Sequence, residues 1–157
     1  MKLLNIHKVY GQNAATEKGE YFRNNCWSWR PLAQYVLSVC ADIITDRDAV
    51  HWNYNDGHLV SENEAIAIAD RLDFLSKSGD TREFAEKYKA EQDSIPDEVC
   101  ELCNGTGKRE DMEVENGCNG CNGTGMKEPM SKWYPFNEEN VKEFAEFCRE
   151  SGGFEIW

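Results

Sequence analysis

Two short segments of this sequence are near copies of one another, and they decide how the second half of the chain folds. Residues 100–107 read Cys-Glu-Leu-Cys-Asn-Gly-Thr-Gly, and residues 118–125 read Cys-Asn-Gly-Cys-Asn-Gly-Thr-Gly. Both follow the pattern Cys-x-x-Cys-x-Gly-x-Gly, in which two thiols three residues apart can turn towards one ion. The glycines permit a positive φ, and Asn104 and Asn122 tolerate left-handed backbone. Two such turns predict a tetrahedral site of four thiolates.

The four cysteines of the repeat are predicted to bind one structural zinc ion: Cys100, Cys103, Cys118 and Cys121. A catalytic zinc would keep an open position beside three protein ligands, which usually include histidine or carboxylate. A thioredoxin-like redox pair needs a single Cys-x-x-Cys, and disulfides are rare in the cytosol. Zinc binding is expected to add on the order of ten kcal/mol to the folding of a small hairpin with little core.

The repeat resembles the cysteine-rich domain of DnaJ-type co-chaperones, in which pairs of such repeats each hold one zinc ion. That domain normally has four repeats, whereas this chain has two, so the resemblance covers residues 100–125 and corresponds to half of one domain. No His-Pro-Asp tripeptide occurs in the chain, so the segment that stimulates the partner ATPase is missing. The resemblance therefore implies the knuckle fold and a metal, without co-chaperone activity.

Outside the repeat, the sequence predicts about four helices and few strands. Pro31 suits the first turn of an amphipathic helix with Tyr35 and Val39 on its apolar face. Residues 61–64, Ser-Glu-Asn-Glu, form a capping box before a second helix that ends at Gly79. Two further helices are expected to be capped by Asp80 and Asn137. The predicted class is mainly α (α+β), a small helical domain with a short β-hairpin that carries the zinc.

The remaining segments complete the predicted organisation. Residues 46–60 are expected to form a loop or short strands around the turn signal Asn55-Asp56-Gly57, and residues 154–157 could end as a buried strand or tail. The helical core domain is expected to comprise residues 1–95 plus 129–157, and the zinc hairpin residues 96–128. The three cysteines outside the repeat are expected to be ordinary buried thiols: Cys26, Cys40 and Cys148.

Composition limits the classes of function. The chain has 157 residues, of which 40% are hydrophobic, and no stretch approaches the ~20 apolar residues of a transmembrane helix. Its first residues lack the apolar run of a signal peptide, so we expect a cytoplasmic protein without membrane association, in the host cytoplasm if it is phage-encoded. The oligomeric state is not predicted.

The charge of the chain is strongly negative but unevenly distributed. Residues 1–30 contain five basic and two acidic residues, which gives this segment a net charge of +3. Because the whole chain has a net charge of −12, the other 127 residues carry −15. An acidic body repels phosphate backbones, and general DNA or RNA binding is therefore not expected.

The segment Tyr21–Arg30 is a candidate binding surface for a partner protein or a nucleotide-like ligand. Aromatic rings can stack on bases, arginine can pair with phosphate and asparagine can hydrogen-bond a base edge. The alternative is that Trp27 and Trp29 alternate as in a strand and form core beneath the following helix. The candidate residues are Tyr21, Arg23, Asn25, Trp27, Trp29 and Arg30.

A third cluster lies in residues 51–58, where two histidines flank an aspartate. His51, Asp56 and His58 would suit a small hydrolase, but the turn chemistry of Asn55-Asp56-Gly57 explains most of the pattern. No nucleophile elbow, P-loop, dinucleotide fingerprint or His-Glu-x-x-His motif is present, which favours a non-enzymatic protein. Asn55 and Asp56 are kept as candidate partner contacts.

The whole chain resembles small proteins of tailed bacteriophages and prophages, through residues 27–32, 55–57 and 151–156. The resemblance implies an accessory role that could include countering host defence. The leading hypothesis is therefore a non-enzymatic zinc-binding protein that binds a host protein or sequesters a small nucleotide-like ligand. The alternatives are a chaperone-like module that holds peptides beside Leu102 and Met112 of the zinc hairpin, and the hydrolase.

Overall fold

The structure is a computed structural model that describes residues 6–109 and 117–157, except for the side chain of Ile6. The chain divides into two compact units, which we call the core unit (Met1–Lys89 and Tyr134–Trp157) and the cysteine unit (Ala90–Trp133). The predicted limits of the zinc hairpin, residues 96 and 128, both lie within the cysteine unit. Met112, which the peptide-binding alternative uses, lies outside the described residues.

Helices dominate the regular structure, and the predicted α+β class is confirmed. Four helices have 13 to 17 residues and correspond to the predicted ones, and two single turns of four residues were not predicted. In chain order the helices of the described residues are α1 (Glu17–Glu20), α2 (Cys26–Val39), α3 (Asp46–Ala49), α4 (Glu62–Ser78), α5 (Asp80–Ser94) and α6 (Glu138–Glu150). Short 3-10 segments occur at Val50–Asn53 and Met130–Trp133.

Two antiparallel sheets accompany the helices, one in each unit. The core unit contains a four-stranded sheet in the order β2-β1-β6-β3, and the cysteine unit contains the pair β4-β5. The strands are β1 (Ile6–Gly11), β2 (Tyr21–Asn25), β3 (His58–Val60), β4 (Glu98–Val99), β5 (Met126–Lys127) and β6 (Phe154–Ile156). The buried strand predicted for residues 154–157 is confirmed for Phe154 and Ile156, which are fully buried in β6, whereas Trp157 follows the strand and is 46% exposed.

The hydrophobic core lies on one face of the four-stranded sheet. Val9 of β1 pairs with Phe22 of β2 on one side and with Ile156 of β6 on the other, and all three side chains are buried. Phe144 of α6 packs among five aromatic rings at centroid distances of 5.1 to 6.1 Å. These rings belong to Phe22, Trp29, Trp52, Phe147 and Phe154.

Helix α2 begins at Cys26, five residues before the start that was predicted at Pro31. The side chain of Asn25 caps the helix by accepting a hydrogen bond from the Ser28 N–H at 2.9 Å. The strand-like alternation expected of Trp27 and Trp29 is therefore wrong, because both residues lie in the first turns of a helix. Proline usually marks a helix start, but here the asparagine cap and the burial of Trp29 outweigh the hydrogen bond that Pro31 cannot donate.

Residues 46–53 are helical and so differ from the expected loop or short strands, whereas His58–Val60 is a short strand as expected. Thr45 accepts a hydrogen bond from the Asp48 N–H at 3.3 Å and begins helix α3, which continues into a 3-10 segment before β3. Threonine at the cap and aspartates in the first turn favour this helical turn. The turn predicted at Asn55-Asp56-Gly57 is compatible with the structure, in which Gly57 has a φ of 80°.

We expect Ser61→Ala to lower the free energy of unfolding by about 1 kcal/mol, because it removes half of a capping box. In the structure, Ser61 Oγ accepts from the Glu64 N–H, and a Glu64 carboxylate oxygen accepts from the Ser61 N–H at 2.9 Å. Chemical denaturation would measure the change. Ser61→Asn keeps a capping oxygen and is the control, and an equal loss in both variants would contradict the capping role.

We expect the core unit to lose stability as the pH falls through about 6.5, the ordinary pKa of histidine. His7 is buried and stacks on Trp29 at 5.4 Å, and burial, together with the charge of Arg30, lowers the pKa of its imidazole. Below pH 6.5 the unfolded chain therefore binds more protons than the folded one, and stability falls with pH. Urea denaturation at several pH values between about 5 and 8 measures the slope of the free energy of unfolding against pH. His7→Phe should flatten it, and an unchanged slope would show that other groups cause it.

Candidate metal centre

The four cysteines of the repeat come together in the cysteine unit. Their sulfur atoms all lie within 4.8 Å of one another, and each side chain is buried. The Sγ atoms of Cys100 and Cys118 are 3.9 Å apart, and those of Cys103 and Cys121 are 3.7 Å apart. Four thiolates bound tetrahedrally at about 2.3 Å from zinc would be separated by about 3.8 Å. The sulfur positions can therefore hold a metal ion such as zinc.

The two repeats form the same turn, and each turn points two sulfurs inwards. In the first, the Gly105 N–H donates to the Cys100 carbonyl at 3.3 Å, and in the second the Gly123 N–H donates to the Cys118 carbonyl at 3.0 Å. The predicted left-handed backbone is confirmed at the two asparagines that precede these glycines, with φ of 49° at Asn104 and 52° at Asn122.

Each repeat also closes the other by a reciprocal pair of backbone hydrogen bonds. The Cys100 N–H donates to the Gly125 carbonyl at 2.9 Å, and the Cys118 N–H donates to the Gly107 carbonyl at 2.7 Å. Just outside the repeats, Val99 of β4 pairs with Met126 of β5. The two turns thus make equivalent hydrogen bonds to one another, as in an approximate twofold arrangement. This pairing brings the four sulfurs together although the repeats are 18 residues apart in sequence.

The last glycine of each repeat has two functions at the centre. Its N–H donates to a sulfur, from Gly107 to Cys103 at 3.3 Å and from Gly125 to Cys121 at 3.1 Å. It also allows close backbone packing, since a Cβ at Gly125 would lie 2.3 Å from the Gly105 carbonyl oxygen. Backbone N–H groups that face thiolates stabilise their negative charge, as outer-shell donors do in metal sites.

The pKa values of two thiols in the cluster also bear on cation binding. Burial raises the pKa of Cys121, but the Gly125 N–H and the neighbouring thiols outweigh this effect and bring that pKa down to about 7. Burial raises the pKa of Cys118 to about 11, with a further contribution from the neighbouring thiols. Cys121 therefore loses its proton more readily than Cys118, and a bound cation would favour the thiolate form of both residues.

The cysteines outside the repeat do not contribute to this centre. Cys40 and Cys148 are buried thiols, as predicted, and burial raises the pKa of Cys40 to about 12 and that of Cys148 well above its ordinary value. Cys26 is only half-buried, so the expectation of a buried thiol is wrong there. It occupies the first position of α2, where the chain leaves the sheet.

The candidate residues of Tyr21–Arg30 do not form a single surface. Tyr21, Arg23 and Asn25 are exposed on β2, whereas Trp29 is fully buried and its indole N–H donates to the Trp52 carbonyl at 2.8 Å. Trp29 is therefore a core residue, as the alternative proposed, because a side chain without exposed area cannot contact a ligand.

The other two residues of this segment lie against Tyr134, in the same unit. Trp27 is half-buried, with its ring 4.9 Å from that of Tyr134. Arg30 is exposed, donates to the Tyr134 hydroxyl at 2.9 Å and lies over its ring. The segment thus provides two separate exposed sites, one on the sheet and one beside Tyr134.

The histidine cluster forms a compact group at the surface, in which His51 and His58 are half-buried and Asp56 is exposed. His51 Nδ1 lies 2.6 Å from an Asp56 carboxylate oxygen, and the rings of His51 and His58 stack at 5.0 Å. The hydrogen bond with His51 lowers the pKa of Asp56. Asn55 and Asp56 are both exposed in this turn. The hydrolase alternative remains a prediction, and a hydrolase screen unaffected by Asp56→Ala would remove it.

The sequence reasoning missed the exposed face of the four-stranded sheet. Lys8 and Tyr10 of β1 and Trp157 after β6 are exposed there, although none was a candidate. The signal was the alternation Lys8-Val9-Tyr10 around a buried valine, which is typical of a strand with one covered face.

Comparisons with known proteins identified no relative of this chain. No known protein family matches the chain, and no curated protein or solved structure matches it. The resemblances to DnaJ-type repeats and to phage proteins thus gain no support from these comparisons. No helix in the described part of the chain is long and apolar enough to cross a membrane. The fold and the site together define a small α+β protein with a four-cysteine module that could bind a metal ion such as zinc.

Proposed function

We propose that this protein is a non-enzymatic, zinc-stabilised binding protein. The observation that carries the proposal is the convergence of four buried sulfurs, with opposite pairs 3.9 and 3.7 Å apart, in a unit whose buried cluster consists of those cysteines alone among the described residues. Zinc would hold this unit together in place of an apolar core, as in other small metal-dependent modules.

The proposed role of the zinc ion is structural because the donor set closes its coordination shell. The sulfurs of Cys100, Cys103, Cys118 and Cys121 supply all four ligands, whereas a catalytic zinc needs a position for water or substrate. Two of the sulfurs also accept backbone N–H groups, which reduces their reactivity and orients them.

Native mass spectrometry of the protein purified from bacterial cytosol tests the proposal. We expect the mass of the chain plus one zinc ion, and elemental analysis should give one zinc and negligible iron. Iron is the main competitor for a tetrahedral four-sulfur site, so the two metals must be distinguished. A protein without metal, with the four thiols free to alkylation, would overturn the proposed zinc site.

The proposed binding activity is the capture of a host protein or the sequestration of a small nucleotide-like ligand. Its support is the exposed aromatic and basic side chains on β1 and β2, in a chain whose other segments are acidic. The acidic body again disfavours general DNA or RNA binding. A phage-type accessory role, including action against host defence, is part of the proposal and rests on the sequence resemblance.

A second candidate function is peptide binding by the cysteine unit. Val99, Leu102 and Met126 are exposed by 56%, 56% and 41%, an unusual amount of apolar surface for so small a unit. The full-length protein would then suppress aggregation of a reduced model substrate, and Leu102→Ser would weaken that effect. Equal suppression by wild type and variant would exclude these side chains as the binding surface.

A further inference from the structure

The side chains on the outer side of the four-stranded sheet form a surface that we call the open sheet face. Along β1, Lys8 and Tyr10 are exposed on either side of the buried Val9, and along β2, Tyr21 and Arg23 are exposed on either side of the buried Phe22. Further members of the open sheet face among the described side chains are Asn25, Leu59, Glu155 and Trp157.

Two basic side chains lie directly opposite one another on this face. Lys8 pairs with Arg23 in the register of β1 and β2. No ion pair joins either residue to a carboxylate within residues 6–109 and 117–157. Like charges directly opposite in a sheet are unfavourable, and this chain has a net charge of −12. An uncompensated cationic pair in such a protein is complementary to an anion.

Aromatic rings flank the cationic pair on both sides. Tyr10 pairs with Tyr21 two register positions along, which is the next pair on the same face; their ring centroids are 5.1 Å apart, and the two side chains are 41% and 40% exposed. On the other side of Lys8, Trp157 exchanges two backbone hydrogen bonds with it, at 2.6 and 2.7 Å. The pattern is thus a small cationic centre between aromatic surfaces.

The indole of Trp157 is held in a defined position. Its N–H donates to a Glu155 carboxylate oxygen at 2.9 Å, and its ring covers Gly57, where a Cβ would lie 2.6 Å from the ring. The side chain nevertheless remains 46% exposed. A fixed and exposed aromatic ring loses little conformational freedom when a flat ligand stacks on it.

We propose that the open sheet face binds a short nucleotide ligand of one or two nucleotides, with phosphate at Lys8 and Arg23 and bases on Tyr10, Tyr21 or Trp157. This inference rests on the proposed binding function and specifies its ligand class and site. Side chains two positions apart on a strand are separated by about 7 Å, so base and phosphate of one nucleotide can engage neighbouring positions. Aromatic stacking with basic contacts to phosphate is the usual chemistry of such recognition.

The same surface is less suited to a long nucleic acid or to a protein partner. The 127 residues that follow residue 30 carry a charge of −15, which would repel a polyanion extending beyond the cationic pair. A stable protein interface needs about 800 Å² from each partner, with an apolar centre, whereas Leu59 is the only aliphatic side chain among the described members of the open sheet face. The ligand is therefore small and anionic.

Isothermal titration of the zinc-loaded full-length protein with the four 5′-phosphorylated homodinucleotides of A, C, G and U tests the inference. We expect saturable binding, weakened about tenfold or more in the double variant Lys8→Gln/Arg23→Gln and in Tyr10→Leu/Tyr21→Leu. The double variant Arg47→Gln/Lys77→Gln removes the same charge from exposed positions outside the face and should bind as the wild type does. Melting temperatures should not fall in Lys8→Gln/Arg23→Gln, because an unfavourable charge pair is removed.

Three results would overturn the inference. The first is no saturable binding of any dinucleotide by the wild type, and the second is equal weakening in the Arg47→Gln/Lys77→Gln control. The third is tighter binding of a decamer of glutamate than of the dinucleotides, which would make the face an acidic-peptide site. None of these results would change the amount of zinc bound per chain. Failure of the nucleotide site is therefore distinguishable from failure of the proposed zinc site.

Discussion

Cys121→Ser is expected to abolish zinc binding and to unfold the cysteine unit while the core unit remains folded. Structural zinc sites contribute on the order of ten kcal/mol to the folding of small modules, and three thiolates with a serine hydroxyl form a much poorer donor set. Cys121 is buried, and its sulfur lies 3.7 Å from that of Cys103. The described part of the cysteine unit has no other buried hydrophobic cluster that could keep it folded.

Hydrogen–deuterium exchange with zinc quantification would measure this effect. Amides that donate within the repeats, such as Cys100 and Cys118, should lose protection in Cys121→Ser, and those of α4 and α6 should keep it. Cys26→Ser is the matched control, because that thiol lies outside the repeat and is half-buried. Excess chelator should reproduce the Cys121→Ser pattern in the wild type. Retained protection with zinc absent would show that the unit folds without metal.

Trp29→Ala is expected to lower the free energy of unfolding by about 3–5 kcal/mol. Its side chain is fully buried among His7, Trp52 and Phe144, at ring distances of 5.4 to 6.1 Å. The substitution opens a cavity and leaves the Trp52 carbonyl without its hydrogen bond from the indole. Since a typical domain is stable by about 5–15 kcal/mol, the core unit would come close to unfolding.

Urea denaturation followed by far-UV circular dichroism would provide the comparison. Tyr54→Ala is the control, since Tyr54 is 63% exposed and its truncation should change stability by less than about 0.5 kcal/mol. A Trp29→Ala protein that is as stable as the control would contradict the burial of this side chain. If that protein also lost ligand binding, Trp29 would belong to a binding surface rather than to the core.

Much of the local structure could be predicted because its causes lie within a few residues. The capping box at Ser61, the left-handed glycine at Gly79 and the asparagine cap at Asn137 are confirmed, since each depends on hydrogen bonds to adjacent backbone groups. The same holds for the positive φ of Asn104 and Asn122. Such signals depend little on the rest of the chain, and the sequence shows them directly.

The four-stranded sheet could not be predicted in the same way, because its pairing joins distant parts of the chain. The strand at Phe154–Ile156 lies between β1 and β3, and it pairs with residues close to positions 10 and 59. Strands of three to six residues carry little periodicity of their own. The alternation Lys8-Val9-Tyr10 indicates one strand with a covered face, but the pairing of the four strands is seen only in the assembled sheet.

The sequence by itself determined the four-cysteine centre, because the spacing of each Cys-x-x-Cys-x-Gly-x-Gly turn specifies its local geometry. Tertiary structure decided the fate of the aromatic and arginine residues in Tyr21–Arg30. Trp29 entered the core because α2 begins at Cys26 and turns that side chain towards Trp52 and Phe144. Tyr21 and Arg23 stayed exposed because β1 and β6 complete a sheet with one open face. The burial of a side chain depends on contacts between segments that are distant in sequence, and a local sequence pattern does not specify those contacts.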